Sequence, residues 1–435
     1  MSNLATPEQL KDTKYKPPFG QAVALGIQHV LAMFAGNVTV PIIIAGAAGL
    51  AGGDKVFLIQ MAMVFAGVAT LIQTIGFGPV GARLPIVQGT SFAFIPVMIP
   101  IVKTAGMGAV FGATIVGGIF HLLIGTFIGK LRRFLPPLVT GIVVMSIGLA
   151  LIPVGIKYAA GGAGPFIKDF GAWYHLTLAA VVIVTTLGVK FCFKGFLSGA
   201  AVLVGLVVGY LVAIAMGMVN FGGIEKAGWF ALPNPTHFEI TFTASAIIAM
   251  CLMTLVSAVE TVGDISGVTK GGAGREPTDK ELSGGTMADG LGTAIAGFFG
   301  AMPNTSYSQN VGLVALTGMM SRYVVTCGAV FLILAGLIPK FGALVASIPN
   351  AVIGGAAIIM FGMIVSAGLS LLSAININRR NMVIIALSLG IGLGIAAVPK
   401  AIGIFPADLK LLLTSGLFTS ALVAIVLNMV LPEED

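Results

Sequence analysis

The chain is short of charge. Only 9% of its 435 residues are Asp, Glu, Lys or Arg, and mean hydropathy is +1.05. That excludes an ordinary water-soluble domain. Cysteine is scarce: Cys192, Cys251 and Cys327 stand alone, which excludes a disulfide framework or a zinc spacing. No phosphate loop, zinc motif or Ser/His/Asp arrangement occurs, so nothing points to an enzyme. Gly271-Gly272-Ala273-Gly274 lacks the Lys-Ser/Thr of a phosphate loop and reads as a flexible linker. The N-terminal stretch has no apolar core of its own and is not expected to be a cleaved leader.

What is present is apolar sequence in long runs, with 60 glycines suited to close helix packing in lipid. An all-α polytopic membrane protein of 14 segments is expected. They lie near 19–46, 56–77, 84–102, 106–129, 134–156, 172–192, 196–217, 244–268, 282–300, 303–319, 323–341, 344–367, 381–399 and 409–431. The domain reading is a tail (1–18), a first seven-segment half (19–217), an external connection (218–243), a second half (244–431) and a short tail (432–435).

Charge supports that count. With the N-terminus in the cytoplasm, 15 of the 23 lysines and arginines fall inside, every arginine among them. The net charge of +7 is therefore mostly topology, not a nucleic-acid surface. The acidic end Glu433-Glu434-Asp435 also falls inside. The halves echo each other. Gly108–Phe111 recurs at Gly328–Phe331, Pro136–Gly141 at Pro349–Gly354, and Thr90-Ser91-Phe92 resembles Thr305-Ser306-Tyr307. A repeat of seven segments must be inverted in the membrane, a known transporter architecture.

Segment ten is broken. Pro303 cannot continue a helix, Asn304 to Asn310 are polar-capable throughout, and an apolar helical run begins only at Val311. An extended stub followed by a half-helix is expected. Such backbone survives at membrane depth only when buried in protein or lining a cavity. The plain alternative is a surface loop. Segment three, with Pro85, Gly89, Pro96 and Pro100, predicts a second stub from about Val87 to Phe94. Two such stubs could cross near the midplane and present backbone amides from both sides.

Segment eight holds Glu260 and Asp264 at i and i+4, on one helix face. Burying an acid there costs on the order of 3 kcal/mol, so such residues are functional candidates. The helix could instead end near Thr261, leaving Asp264 at a wetter mouth. Asp289 in segment nine is a third acid, with helix capping as its plainer role. His29 in segment one has Gln28 and Asn37 for company and could be a packing residue or part of a polar lining. His121, His175 and His237 carry no functional signal.

Gln309-Asn310-Val311-Gly312 through Thr317-Gly318 meets every fixed position of the signature Q/E/P-N-x-G-x-x-x-x-T-R/K/G. In this it resembles the nucleobase–ascorbate transporter family. Gln28-His29, Glu260 to Asp264, and Asp289 in Ala-Asp-Gly resemble further elements of that family, and the likeness runs along the whole chain. It implies two inverted seven-segment repeats, with short antiparallel strands in segments 3 and 10, a core of segments 1–4 and 8–11 and a gate of segments 5–7 and 12–14. It also implies a homodimer in the bacterial inner membrane with both termini cytoplasmic, carrying a nucleobase by proton symport and needing no cofactor or metal. Carried over, Glu260 and Gln309 would bind the base, Phe92 would pack on its ring, and Ser91, Tyr307 and Ser308 would shape the pocket. His29, Asp264, Asp289 and Asn310 would hold the site and its protons in order.

The chemistry suits a nucleobase. A carboxylate accepts from ring N–H groups, and a Gln amide donates and accepts in one plane. Gln309 stands where uracil-type members of the family carry Glu, which favours purines: xanthine and uric acid, with hypoxanthine and guanine next. Ser91, where some xanthine-specific members carry Asn, argues against narrow xanthine specificity. Four alternatives stand beside this: a uracil–proton carrier, sodium coupling through the same carboxylates, an anion transporter of similar architecture, and a membrane enzyme.

Overall fold

The computed structural model describes residues 6–131, 136–162 and 169–432. Residues 1–5 of the tail, the acidic end 433–435, and Arg132, Arg133 and Lys168 of the charge count lie outside them.

The first half comprises α1 (Phe19–Ala48), α2 (Gly53–Ile75), β1 (Gln88–Thr90), α3 (Ile95–Gly125), α4 (Pro137–Ala159), α5 (Trp173–Cys192) and α6 (Ala201–Ala215). The second comprises α7 (Ala244–Val268), α8 (Asp279–Phe298), β2 (Asn304–Ser306), α9 (Ser308–Thr317), α10 (Arg322–Gly336), α11 (Pro339–Ala346), α12 (Asn350–Ser373), α13 (Arg379–Ala397), α14 (Ala407–Thr414) and α15 (Leu417–Val430). Among the described residues, eight helices are long and apolar enough to cross a membrane, and the α10–α11 pair, bent by 83°, would make a ninth. Both strands lie in one antiparallel pair, with Gln88 opposite Ser306 and Thr90 opposite Asn304.

Several boundaries differ from the sequence reading. Segments three and four run on into each other with no loop between them, yet α3 is two helices divided at Gly106, whose φ of 81° breaks the helical path where the sequence reading places segment four's start. The stub in segment ten is shorter than expected: α9 starts at Ser308, not Val311. Helix α7 does not end near Thr261. It runs to Val268 and continues as a π-helical turn through Ala273, so the glycine cluster is largely helical, not a linker. A Cβ on Gly271 would lie 2.8 Å from Ala315 Cβ, so the missing side chains let α9 lie against this turn.

Glycine also sets the packing around the strands. A Cβ on Gly118 of α3 would collide with the backbone of Gly290 and Ala294 on α8, so these helices meet backbone to backbone. The N-terminal tail is not free either. Leu10 and Thr13 accept from Met320 N (2.7 Å) and Arg322 N (3.1 Å), and Ser321 Oγ donates to Tyr15 O at 2.5 Å. The tail thus straps the turn that follows α9.

Candidate functional site

The strand pair is held by its neighbours, not by its own length. Its ladder gains one bond at each end, Ser91 N to Pro303 O at 2.9 Å and Tyr307 N to Val87 O at 3.0 Å. Pro41 lies inside α1 and has no N–H for the Asn37 carbonyl. Thr90 Oγ1 donates to that carbonyl at 2.7 Å, and Thr90 N donates to Asn37 Oδ1 at 2.9 Å. A helix defect in α1 thereby becomes the anchor of β1. On the other side, Thr293 of α8 both donates to Asn304 O (3.1 Å) and accepts from Asn304 N (3.0 Å).

Two of the three acids are tied to this frame. Asp264 Oδ2 accepts from Ser306 Oγ at 2.6 Å, and its Oδ1 from Ser308 Oγ at 2.7 Å. Because Ser308 opens α9, Asp264 sits at the positive end of that helix dipole. Asp289 accepts from Gln88 Nε2 and from Thr261 Oγ1, which links α8, β1 and α7. The third acid differs. Glu260 Oε2 is buried with no hydrogen-bond partner. An unpartnered polar group away from water costs about 1–3 kcal/mol, more when charged, so this oxygen is a vacant acceptor.

Helix α7 packs on the turn Phe92–Phe94, on β2 and on α9, among other elements, and these three carry or adjoin the other predicted pocket residues. Phe92 is buried and meets Phe361 edge-on at 5.4 Å. Ser91 caps the turn by accepting from Ala93 N at 3.3 Å. Gln309 is half-buried at the second position of α9, beside the exposed Ser308. Tyr307 is buried, and its hydroxyl donates to Thr90 O at 2.7 Å; it is placed as a strut between the strands. Asn310 is also turned inward. Its Nδ2 donates to His29 Nδ1 (3.1 Å) and to His29 O (2.9 Å), fastening α9 to α1.

The predicted site residues therefore fall into two groups. Glu260, Gln309, Ser308, Ser91 and Phe92 belong to the meeting of α7, α9 and the Phe92 turn. His29, Asn310, Asp264, Asp289 and Tyr307 hold those elements in place. Sequence reasoning missed Gln88, Thr261 and Thr293 as partners. Gln88 had a signal, a lone amide in the apolar run before Gly89. Thr261 and Thr293 had none, since threonine is unremarkable in a membrane helix.

A profile of the Xan_ur_permease group, described as a permease family, matches residues 20–401. The chain belongs to this family, the nucleobase–ascorbate transporters. This permease is 40% identical over 415 residues to the uric acid transporter UacT of Escherichia coli, covering 94% of this chain and 86% of that one. It is also 40% identical over 418 residues to the xanthine permease of Bacillus subtilis, covering 95% and 94%. In fold, it resembles the transmembrane domain of the cyanobacterial bicarbonate transporter BicA, with a TM-score of 0.58 at 16% identity over 95% and 98% of the two chains. The permease is a multi-pass membrane transporter and not an enzyme.

Proposed function

We propose that this permease imports purine nucleobases, xanthine and uric acid first among them, by proton symport. The observation that carries the reading is the buried, unpartnered Glu260 oxygen on α7, the helix that packs against α9 and the Phe92 turn. A purine offers ring N–H groups to the carboxylate, an alternating edge to the amide, and a flat face to the phenyl ring. Stacking of that kind is worth about 1–3 kcal/mol. Relatives at 40% identity named for uric acid and xanthine support the substrate class.

The wider reading goes with it. Fourteen segments would form two inverted repeats, with α1–α3 and α7–α10 in a core that moves against a gate containing α4–α6 and α12–α15. The protein would work as a homodimer in the bacterial plasma membrane, with both termini cytoplasmic. The weak sequence repeat, the arginine bias and the strand pair drawn from both halves support this. One proton carried down the membrane potential supplies about 2.3 kcal/mol per 100 mV. The site acids would couple that proton to the base.

The test is uptake of radiolabelled xanthine into cells expressing the chain, in sodium-free buffer, with unlabelled competitors and a protonophore. Competition by uric acid but not uracil, with loss of uptake under protonophore, is the expected result. Competition by uracil would move the chain to pyrimidines, and a requirement for sodium would replace the proton as coupling ion.

A further inference from the structure

A cavity of about 220 Å³, whose wall holds none of the predicted site residues, lies between α3, α4, α7, α14 and α15. Its wall includes Val143, Val256, Val259, Phe418, Ala421 and Ile425. The two hydroxyls in the wall are already used: Thr140 Oγ1 donates to Pro136 O at 3.3 Å, and Ser415 Oγ to Leu412 O at 2.8 Å. Neither hydroxyl has a hydrogen to spare for a polar ligand, and an apolar cavity of this kind does not hold water. Left empty, it would forfeit the dispersion contacts of its whole lining. Phe92, Glu260 and Gln309 take no part in the wall.

The cavity is open on one side. Leu422 belongs to its wall and is 43% exposed, and Val426, one turn on, is 46% exposed. The mouth is therefore apolar and lies on α15, a short apolar helix of a membrane protein. We propose that a phospholipid acyl chain enters past Leu422 and fills this cavity. The chain would then lie against Val256 and Val259, one turn and one residue before Glu260 on α7. It would be a lipid wedge between the helix that carries the site carboxylate and the α4 and α15 helices opposite. The inference rests on membrane placement and is independent of which substrate is carried.

The test uses the full chain in lipid nanodiscs made with phosphatidylcholine bearing a diazirine on one acyl chain. After irradiation, adducts are mapped by peptide mass spectrometry. Adducts on Val143, Val256 and Phe418, in yields comparable to the rim residue Leu422, are expected. Ala421→Phe should reduce the wall adducts several-fold and leave those on the outward-facing Met429 unchanged. If that variant does not fold, Ala249→Leu on the opposite wall makes the same comparison. Adducts confined to outward residues such as Phe191 and Met429 would overturn the proposal. So would equal labelling of the wall by a water-soluble diazirine, which would make the cavity an aqueous vestibule.

Discussion

Ser306 Oγ donates to Asp264 Oδ2 at 2.6 Å, and this bond joins the strand before the broken helix to the helix that carries Glu260. With Ser308 on the other oxygen, it fixes the distance between α7 and the start of α9.

Removing that link should loosen the frame. Ser306→Ala leaves Asp264 with one donor and should lower stability by about 1.5–3 kcal/mol, the range for a hydrogen bond to a charged group. The melting temperature of the purified protein in nanodiscs should fall, and xanthine uptake with it. An unchanged melting temperature would show that the bond contributes nothing net.

Gly36 of α1 faces the back of the site. A methyl group there would lie 2.8 Å from Tyr307 Cε1 and 3.3 Å from Phe92 Cε2. Gly36→Ala should push both rings, at roughly 1–3 kcal/mol of stability, the usual cost of overpacking, and weaken substrate affinity. The expected result is a raised KM for xanthine with surface expression retained. Wild-type KM would mean the rings move freely.

Outside the apolar core, Thr278 and Glu281 form a capping box at the start of α8, with Thr278 N donating to Glu281 Oε2 at 2.8 Å. Arg275 Nη1 donates to the same oxygen at 2.8 Å. Burial pushes the Glu281 carboxyl up, but the Arg275 hydrogen bonds, the Thr278 N–H and the Arg275 charge outweigh it and hold the carboxyl below its ordinary value. A carboxylate depressed in the folded state adds stability above its unfolded pKa, about 4.3, and loses it as pH falls through the folded value. Glu281→Ala should therefore cost about 1 kcal/mol at neutral pH, a typical capping loss. The partly exposed Arg275 adds little more. Melting curves of wild type and variant should converge as pH drops below about 4. A gap that persists in acid would place the effect elsewhere.

Much of this frame was legible in the sequence because it depends on local chemistry. Pro303 and the polar run after it announced a broken segment, and the spacing of Glu260 and Asp264 put them on one face. What stayed hidden depends on partners far along the chain. Ser308 and Asn310 look too polar to begin a membrane helix, yet Asp264 and His29 engage their side chains, so the helix starts three residues early. The cluster at Gly271–Gly272 looks like a linker until α9 is seen packed against it. The tail's docking carried no local signal because its anchors, Met320 to Arg322, are some three hundred residues away. The anchoring of β1 on the Asn37 carbonyl needed both Pro41 and Thr90 in view at once.

The central claim is that the vacant Glu260 oxygen receives the purine. Glu260→Gln breaks none of the hydrogen bonds that hold Asp264 and Asp289, so the variant should fold and melt like wild type. Equilibrium binding of radiolabelled xanthine to both purified proteins tests the claim directly. The account predicts that xanthine binding falls by at least tenfold, about 1.4 kcal/mol, with the melting temperature unchanged. Xanthine binding at wild-type affinity in a folded Glu260→Gln protein would contradict it.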